Sequence, residues 1–330
     1  MSDTMRAVMA EQPGGPETLV LKAVPVPEPG PGQVRIRVAY SALNPLDTHA
    51  RANRIKWGHP GFPFIPGYEY AGRVEKAGEG VDPQLVGRRV AAMSEWGGNA
   101  DFAIATASRL VPVPDSFDWR LAATFATCAP TSWHLVHSAG RLRQGMTLLV
   151  HSAAGAVGSL TTQIAVEAGA RVIGLAGGAD KVAYARQFGA EAVLDYSSGD
   201  WVGQVKELTD GRGVDVIVDG NAGPEAPRNY EAVAPLGNVI YLGAMAGQAP
   251  PVNISQLIGR SFSVTGFVQF FHQARSGGAE NAEIVEALSS GRWRIPVERV
   301  FPLEDVPRAQ ALFEGRRLTG RSLIEAGGEV

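Results

Sequence analysis

Six short apolar segments that alternate with amphipathic stretches constrain the fold of this chain most strongly. The segments fall at 147–151, 171–175, 192–194, 214–218, 238–242 and 262–265. Helical spacing separates them, for example at 157–168 and 180–188. Short apolar strands that alternate with helices are typical of a parallel sheet covered on both faces. The central part of the chain is therefore predicted to be α/β, with a doubly wound parallel sheet.

A glycine-containing segment follows the first of these strands. It reads His151-Ser152-Ala153-Ala154-Gly155-Ala156-Val157-Gly158. This is the dinucleotide-binding fingerprint with Ala153 in place of the first glycine. Gly155 lets the backbone approach a pyrophosphate, Gly158 lets helix and strand pack closely, and the helix N-terminus offers N–H groups to the phosphates. The motif alone is weak, but the strand before it and the helix after it favour a nucleotide site over a simple tight turn.

The end of the second strand indicates which nucleotide binds. An NAD site has an acidic residue about twenty positions after the motif, where it contacts the ribose hydroxyls. This chain has Leu175-Ala176-Gly177-Gly178 there, with Lys181 just beyond. The glycines leave room for a 2′-phosphate and the lysine stands close, although an ordinary solvated helix residue explains Lys181 too. The missing acid predicts NADPH as the cofactor.

The first third of the chain has a different pattern. Short alternating segments such as 34–38, 70–75 and 88–93 are separated by turns rich in Gly and Pro, which predicts an all-β, barrel-like domain. Strand-like pieces return at 297–301 and 322–325. We therefore expect residues 1–122, completed by 292–330, to form one domain and residues 123–291 to form the nucleotide-binding domain.

Composition excludes several classes of protein. The chain has 330 residues and a net charge of −3, so there is no electrostatic basis for binding nucleic acid. Neither an apolar run of membrane-spanning length nor a charged-then-apolar leader is visible, which predicts a cytoplasmic protein without a membrane partner. The single cysteine, Cys128, excludes an internal disulfide framework and a zinc site built from several thiolates.

An ordered set of motifs along the whole chain resembles a known family. The motifs are Met5-Arg6-Ala7-Val8, Ala42-Leu43-Asn44-Pro45-Leu46-Asp47, Pro66-Gly67-Tyr68-Glu69-Tyr70-Ala71-Gly72, the segment from Ala122 to Thr131, and the glycine segment above. Together they resemble the medium-chain dehydrogenase/reductase superfamily, in its zinc-independent quinone oxidoreductase (zeta-crystallin-like) branch. The resemblance implies a GroES-like β-barrel domain and a Rossmann doubly wound parallel sheet.

The resemblance also implies a set of cofactor-binding residues. They are Thr127, Ala154, Gly155, Ala156, Val157, Gly178, Lys181, Tyr196, Asn221, Gly243, Phe267 and Arg316. By similarity, Thr127 and 155–157 line the nicotinamide and pyrophosphate, and Lys181 and Tyr196 flank the adenosine phosphate. Arg316 is the least specific assignment, because Arg317 and Arg321 lie close in sequence.

Zinc members of this superfamily have a cysteine where this chain has Asn44 and a histidine where it has Tyr68. Without that thiolate and imidazole, no ligand set for a catalytic zinc remains, so no metal is expected. His134 and His137 have helical spacing, but a pair of partly exposed helix residues explains them better than a metal site without a third ligand.

The predicted activity is hydride transfer from NADPH to a quinone or an electron-poor alkene. Such a reaction needs a hydrogen-bond donor where charge develops on the acceptor oxygen. Asn44 is our first choice, with Asp47 orienting it or closing the pocket, although a buried structural Asn-Pro turn explains Asn44 equally well. Tyr68 either donates a proton or fills the space of the lost zinc. Relatives often have tyrosines where His49 and Ile55 stand, so His49 or His59 is an alternative proton donor.

Two other functions stay open, together with one partner. The chain is alternatively a 2-alkenal, enone or enoyl-thioester reductase of the same superfamily, or an NADPH-binding protein with little catalysis. Family members are commonly dimers through the edge strand of the Rossmann sheet, here 261–266. A homodimer is therefore expected, and Phe262, Val264 and Phe267 fit its interface, unless a helix covers that edge.

Overall fold

The computed structural model describes residues 4–55, 58–93, 96–327 and 330. The strands are β1 (Thr4–Ala10), β2 (Leu19–Pro25), β3 (Gln33–Ala42), β4 (Glu69–Ala77), β5 (Arg89–Met93), β6 (Phe102–Thr106), β7 (Val111–Pro112), β8 (Thr147–Val150), β9 (Arg171–Ala176), β10 (Ala192–Asp195), β11 (Val214–Asp219), β12 (Val233–Tyr241), β13 (Ser263–Gly266), β14 (Val297–Pro302) and β15 (Arg321–Glu325). The α-helices are α1 (Pro45–Arg51), α2 (Trp119–His134), α3 (Ala156–Glu167), α4 (Ala179–Ala185), α5 (Trp201–Leu208), α6 (Pro227–Ala232), α7 (Ile254–Arg260), α8 (Gln269–Ser276), α9 (Asn281–Ser289) and α10 (Val306–Glu314).

Packing divides the chain into two compact units. The first unit comprises Met1–Thr127 and Ile295–Val330, and the second comprises Cys128–Arg294. The first boundary falls inside α2, five residues after the predicted boundary at residue 122. Within the described residues, no helix is long and apolar enough to cross a lipid bilayer.

The first unit is built on a mainly antiparallel sheet. Its strand order is β14-β15-β3-β4-β5-β7, and β6 also pairs with β3. The alternation predicted for 34–38 lies in β3, where Val34, Ile36 and Val38 are fully buried. β15 pairs antiparallel with β3, so a strand from the end of the chain completes the sheet. The predicted β-sheet is confirmed, but the unit is not all-β, because it also contains α1, α10 and the first half of α2.

The second unit contains a six-stranded sheet in the order β10-β9-β8-β11-β12-β13. All its pairings are parallel. From β8 the chain moves outward to β10, returns to the middle at β11, and moves outward the other way to β13. The carboxyl ends of β8 and β11 therefore flank the point where the winding reverses, which is where such sheets bind ligands. The predicted doubly wound sheet is confirmed.

The sequence has helical spacing from about Trp119 to Ala139, but this stretch is not one regular α-helix. α2 contains Pro130 and ends at His134, and a π-helical turn then runs from Leu135 to Ala139. Proline removes a backbone donor and disturbs the regular i to i−4 bonding around it, which the apolar pattern alone does not reveal.

Candidate functional site

The glycine segment forms a tight turn between β8 and α3. Ser152 has a φ of 54°, and the N–H of Gly155 donates to the carbonyl of Ser152 at 2.8 Å. Gly155 is the N-cap of α3, so the first N–H groups of that helix lack intrahelical partners. These groups and the helix dipole form an anion-binding end at the reversal point of the sheet. The predicted residues Ala154, Gly155, Ala156 and Val157 all lie in this turn and its first helical residues.

Gly158 has a steric reason to be glycine. A Cβ placed there would lie 2.3 Å from the carbonyl oxygen of Ser152 and 3.0 Å from the Cα of Ala153, both of them backbone atoms. At Gly155 the nearest atom to such a Cβ is the same oxygen at 3.2 Å, which is only a tight contact. The first glycine therefore shapes the phosphate end, and the second allows helix and strand to touch.

The departure at Ala153 is compensated by a glycine on the neighbouring strand. Ala153 is buried, and its N–H donates to the carbonyl of Leu175 at 3.0 Å. A Cβ at Gly174 would lie 2.9 Å from the Ala153 methyl, so the missing side chain on β9 makes the space that the alanine fills. The variant fingerprint thus keeps the geometry of the turn.

Other predicted residues lie at the carboxyl edge of the same sheet. Asn221 follows β11, its amide donates to the Ser152 hydroxyl at 3.0 Å, and its N–H donates to Asp219 at 2.7 Å. Gly243 follows β12, where a Cβ would lie 2.9 Å from the carbonyl oxygen of Gly220. Phe267 follows β13, and its buried ring stacks on His272 with 4.8 Å between centroids. The structure therefore brings Asn221 to the glycine turn and keeps the ring of Phe267 inside the unit.

The residues predicted to bind the adenosine half of the cofactor lie just after β9 and β10. Gly178 has a φ of 86°, and its N–H donates to the Asp195 carboxylate at 2.9 Å. A Cβ at Gly177 would lie 2.5 Å from the hydroxyl of Tyr196, so that phenol sits over the glycine. Lys181 is half-buried in the first turn of α4. Gly178 and Tyr196 thus follow the carboxyl ends of two neighbouring strands, and Lys181 lies in the helix after the first of them.

In the first unit, Asp47 is a capping residue. Its carboxylate accepts from the N–H of Asn44 at 2.9 Å, of Gly67 at 2.9 Å and of Tyr68 at 3.1 Å. The contact with Asn44 is one half of a capping box at the start of α1. The side chain is 1% exposed. Asp47 therefore ties the start of α1 to the segment that carries Tyr68.

Asn44 is also held inside the unit. Its amide donates to the carbonyl of Ala42 at 3.2 Å and to the Glu69 carboxylate at 3.1 Å, which uses both amide hydrogens. Its oxygen accepts from Arg321 at 3.1 Å. This geometry fits the buried structural turn better than a donor directed at an acceptor molecule, because no amide hydrogen is left over.

Two residues that sequence reasoning missed complete this cluster. Glu69 and Arg321 form a buried ion pair, with side chains 0% and 6% exposed. Glu69 also accepts from the backbone N–H of Thr127 at 2.8 Å. The available signal was a charged residue at the first position of each of two strands, β4 and β15. Because Arg321 is engaged in this ion pair, it is not an alternative to Arg316 as a cofactor contact. Arg316 is exposed and follows α10 in the same unit.

Tyr68 lies within an aromatic cluster of the first unit. Its ring is 5.1 Å from that of Trp96, which in turn contacts Phe64 at 5.4 Å, and Phe62 and His59 extend the series. Tyr68 is 9% exposed.

The two histidines named as alternative proton donors also lie in the first unit. Burial lowers the pKa of His49, and the positive charge of Arg54 lowers it further. Both ring nitrogens of His59 are engaged, with the carbonyl of Ala50 and the N–H of Gly61, so His59 is a poor alternative proton donor.

His134 does not match the expectation of a partly exposed helix pair. It is fully buried, with its ring nitrogens against Ser138 at 2.8 Å and Glu280 at 3.2 Å. That part of the prediction is wrong, because α8 and α9 approach this face of α2 and sequence spacing does not show it.

Titration of Asp47 gives a pH-dependent prediction. Burial raises the pKa of its carboxyl from the ordinary 3.8 to about 6, against the opposing effect of its backbone N–H partners. A raised pKa in the folded state means that stability from this group is present below pH 4 and lost as pH rises through 6. We expect the free energy of unfolding of the wild type, relative to Asp47→Asn, to fall by about 3 kcal/mol between pH 4 and 7. Denaturant unfolding of both proteins across this range measures it, and a constant difference would contradict the assignment.

The residues at the position of the superfamily's zinc site do not form a metal site. Asn44 and Tyr68 replace the thiolate and the imidazole, and the nearby Glu69 carboxylate is already bound by Arg321, Asn44 and the Thr127 backbone. Across the described residues, no group of three or more His, Cys, Asp or Glu side chains is placed to hold a metal ion. The donor set thus contains no free soft ligand of the kind that zinc prefers.

Comparison with known proteins identifies the family. Residues 30–115 match the alcohol dehydrogenase GroES-like domain, and residues 156–280 match the zinc-binding dehydrogenase family. The chain is 32% identical to quinone oxidoreductase from Pseudomonas aeruginosa, over 94% of this chain and 96% of that protein. It is 30% identical to 2-haloacrylate reductase from a Burkholderia species, over 96% and 98%.

A solved structure agrees with these relatives. A mycobacterial protein in complex with NADPH is 32% identical and superposes with a TM-score of 0.90, over 97% of this chain and all of that one. The chain therefore belongs to the zinc-independent quinone oxidoreductase branch of the medium-chain dehydrogenase/reductase superfamily.

Proposed function

We propose that this chain is an NADPH-dependent reductase that transfers hydride to a quinone or an electron-poor alkene. The observation that carries the proposal is the glycine-shaped turn at the reversal point of the sheet, followed by a second strand end without an acidic side chain. When bound, NADPH supplies the hydride. The similar mycobacterial protein was solved with NADPH, which supports the same cofactor here.

Different residues of the chain bind different parts of the nucleotide. The first turn of α3 holds the pyrophosphate through N–H groups that lack helical partners. Gly178 and Lys181 receive the 2′-phosphate, and Tyr196 packs beside them. Asn221, braced by Ser152 and Asp219, contacts the ribose of the nicotinamide half. Thr127 and Arg316 are proposed as further cofactor contacts.

We assign the donor to the acceptor oxygen to Tyr68 rather than Asn44. The backbone of Tyr68 is fixed by Asp47, and its ring packs on Trp96. The aromatic side chains around it offer flat apolar faces that suit a planar quinone. Asn44 and Asp47 then act by holding the Tyr68 segment in place.

The acceptor class is tested by turnover of NADPH with benzoquinone, phenanthrenequinone, an enone and an enoyl-thioester. We expect quinone turnover that a chelator does not change. Preference for the enone keeps the cofactor and moves the acceptor to the alkene class, as the similarity to 2-haloacrylate reductase would favour. Tight NADPH binding with no turnover of any acceptor would contradict the proposal and favour a binding protein.

We also propose a homodimer at the predicted edge strand, but with different side chains in the interface. Phe262 and Phe267 are each 5% exposed and pack inside their own unit, so the prediction that they face a partner is wrong. β13 is an end strand of the sheet as described, with β12 as its neighbour. The helices that flank it expose Ile258 at 73% and Phe271 at 76%. An end strand beside exposed apolar side chains supports a second copy as the partner.

The proposed interface can be tested by the molecular mass of the protein in solution. The double substitution Ile258→Asp and Phe271→Asp is expected to convert a dimer to a monomer, because buried charges would face each other across the two-fold axis. Light scattering after gel filtration measures the mass. Val86→Asp, at an exposed apolar position of the first unit, serves as the control and should leave the dimer intact. A wild-type protein that is monomeric at micromolar concentration would contradict the proposed dimer.

A further inference from the structure

Glu69 is the common partner of three separate elements in the first unit. It is the first residue of β4 and is 0% exposed. One carboxylate oxygen accepts from the amide of Asn44, which is the N-cap of α1, and from Arg321 at the start of β15. The other oxygen accepts from the backbone N–H of Thr127 in α2. A single buried side chain thus joins the ends of α1 and β15 to the middle of α2.

The hydrogen bonding favours the ionised form of Glu69. The amide of Asn44, the guanidinium of Arg321 and the backbone N–H of Thr127 are all donors, and a carboxylate accepts at both oxygens without offering a hydrogen of its own. Burial raises the pKa of Glu69, while Arg321, Asn44 and Thr127 act in the opposite direction. Arg321 also donates to the oxygen of Asn44 at 3.1 Å, so Asn44, Glu69 and Arg321 form a closed triangle of contacts.

This triangle borders the residues that the proposed reaction uses. Tyr68 immediately precedes Glu69 in the chain, and its N–H is held by Asp47, which also caps Asn44. Thr127 is one of the two proposed cofactor contacts in this unit. Movement of the carboxylate would therefore release the Thr127 backbone on one side and Asn44 on the other.

We propose that Glu69 is a positioning residue for hydride transfer, which holds the Thr127 backbone and the Asn44 cap in register with Tyr68. The proposal rests on the reductase function above. Glu69 itself touches neither cofactor nor acceptor, and it acts through the groups that it fixes. A substitution that keeps its size but removes its charge should therefore slow turnover without weakening NADPH binding.

Glu69→Gln tests this in the full-length protein, with Glu75→Gln as the matched control. Glu75 lies on the same strand, and its substitution removes an ion pair with Arg35 that is remote from Glu69. Turnover is expressed per NADPH-binding site, determined by fluorescence titration, so that loss of folded protein does not count as loss of rate. We expect Glu69→Gln to lower kcat about tenfold or more, with the Kd for NADPH changed less than about twofold. Glu75→Gln should retain wild-type kcat.

The outcomes distinguish failure of this inference from failure of the reductase function. A folded Glu69→Gln protein with wild-type kcat per site overturns the inference and leaves the reductase function intact. A wild-type protein that turns over no acceptor overturns the function first. If Glu69→Gln does not fold, the double variant Glu69→Gln with Arg321→Met removes the unpaired cation, and the same kcat loss is expected in it. Wild-type kcat in that double variant would overturn the inference.

Discussion

Replacing Gly158 with alanine is expected to abolish NADPH binding and to lower the free energy of unfolding of the second unit by about 3 kcal/mol or more. The added methyl would collide with the Ser152 carbonyl and the Ala153 backbone, and neither can move without opening the turn between β8 and α3. Fluorescence titration with NADPH and denaturant unfolding measure the two effects.

Substitutions at two further glycines separate the effect on NADPH binding from the effect on stability. Gly155→Ala places its methyl 3.2 Å from one backbone oxygen, so stability should change by about 1 kcal/mol while NADPH affinity falls. Gly259 in α7 has open space around the position of a Cβ, and Gly259→Ala should change neither property. If Gly158→Ala bound NADPH like the wild type, the close contact of helix and strand would not support the site.

Removing the guanidinium of Arg321 is expected to cost about 3–5 kcal/mol of stability, because Glu69 is left charged and buried without its partner. The double variant Arg321→Met with Glu69→Gln should recover much of that loss, since no uncompensated charge remains. Unfolding of the two single variants and the double variant forms a cycle that isolates the pair.

An exposed ion pair provides the control for this cycle. Arg171 and Glu191 are 45% and 46% exposed, so Arg171→Met should cost less than about 1 kcal/mol. If Arg171→Met and Arg321→Met lowered the free energy of unfolding by similar amounts, burial would not increase the contribution of the Glu69–Arg321 pair to stability.

The architecture was predictable from the sequence because its signal is local. Six apolar segments with helices between them leave few arrangements. The ends of each of the six lie within about two residues of an observed strand, except that β12 begins five residues earlier. The glycine turn was predictable for the same reason, since Gly155 and Gly158 act on atoms within a few residues. Even the departure at Ala153 has a nearby explanation, in Gly174 on the adjoining strand.

What the sequence did not reveal depends on residues far apart in the chain. Glu69 and Arg321 are separated by 252 positions, and no spacing rule connects them. Phe262 and Phe267 have the pattern of an exposed strand edge, but the structure buries them in their own unit. Asn44 was predicted to be a donor from its residue type, whereas only the positions of Ala42, Glu69 and Arg321 show that its amide is already engaged.

The most direct test of the central claim is the ratio of kcat/KM for NADPH over NADH, measured with a quinone in the presence of a chelator. With no acid at the end of β9 and Lys181 beside it, we expect NADPH to be favoured at least roughly tenfold. Lys181→Ala should reduce that ratio while leaving kcat/KM for NADH unchanged. Equal use of NADPH and NADH by the wild type, or loss of activity to the chelator, would contradict an NADPH-dependent reductase that works without zinc.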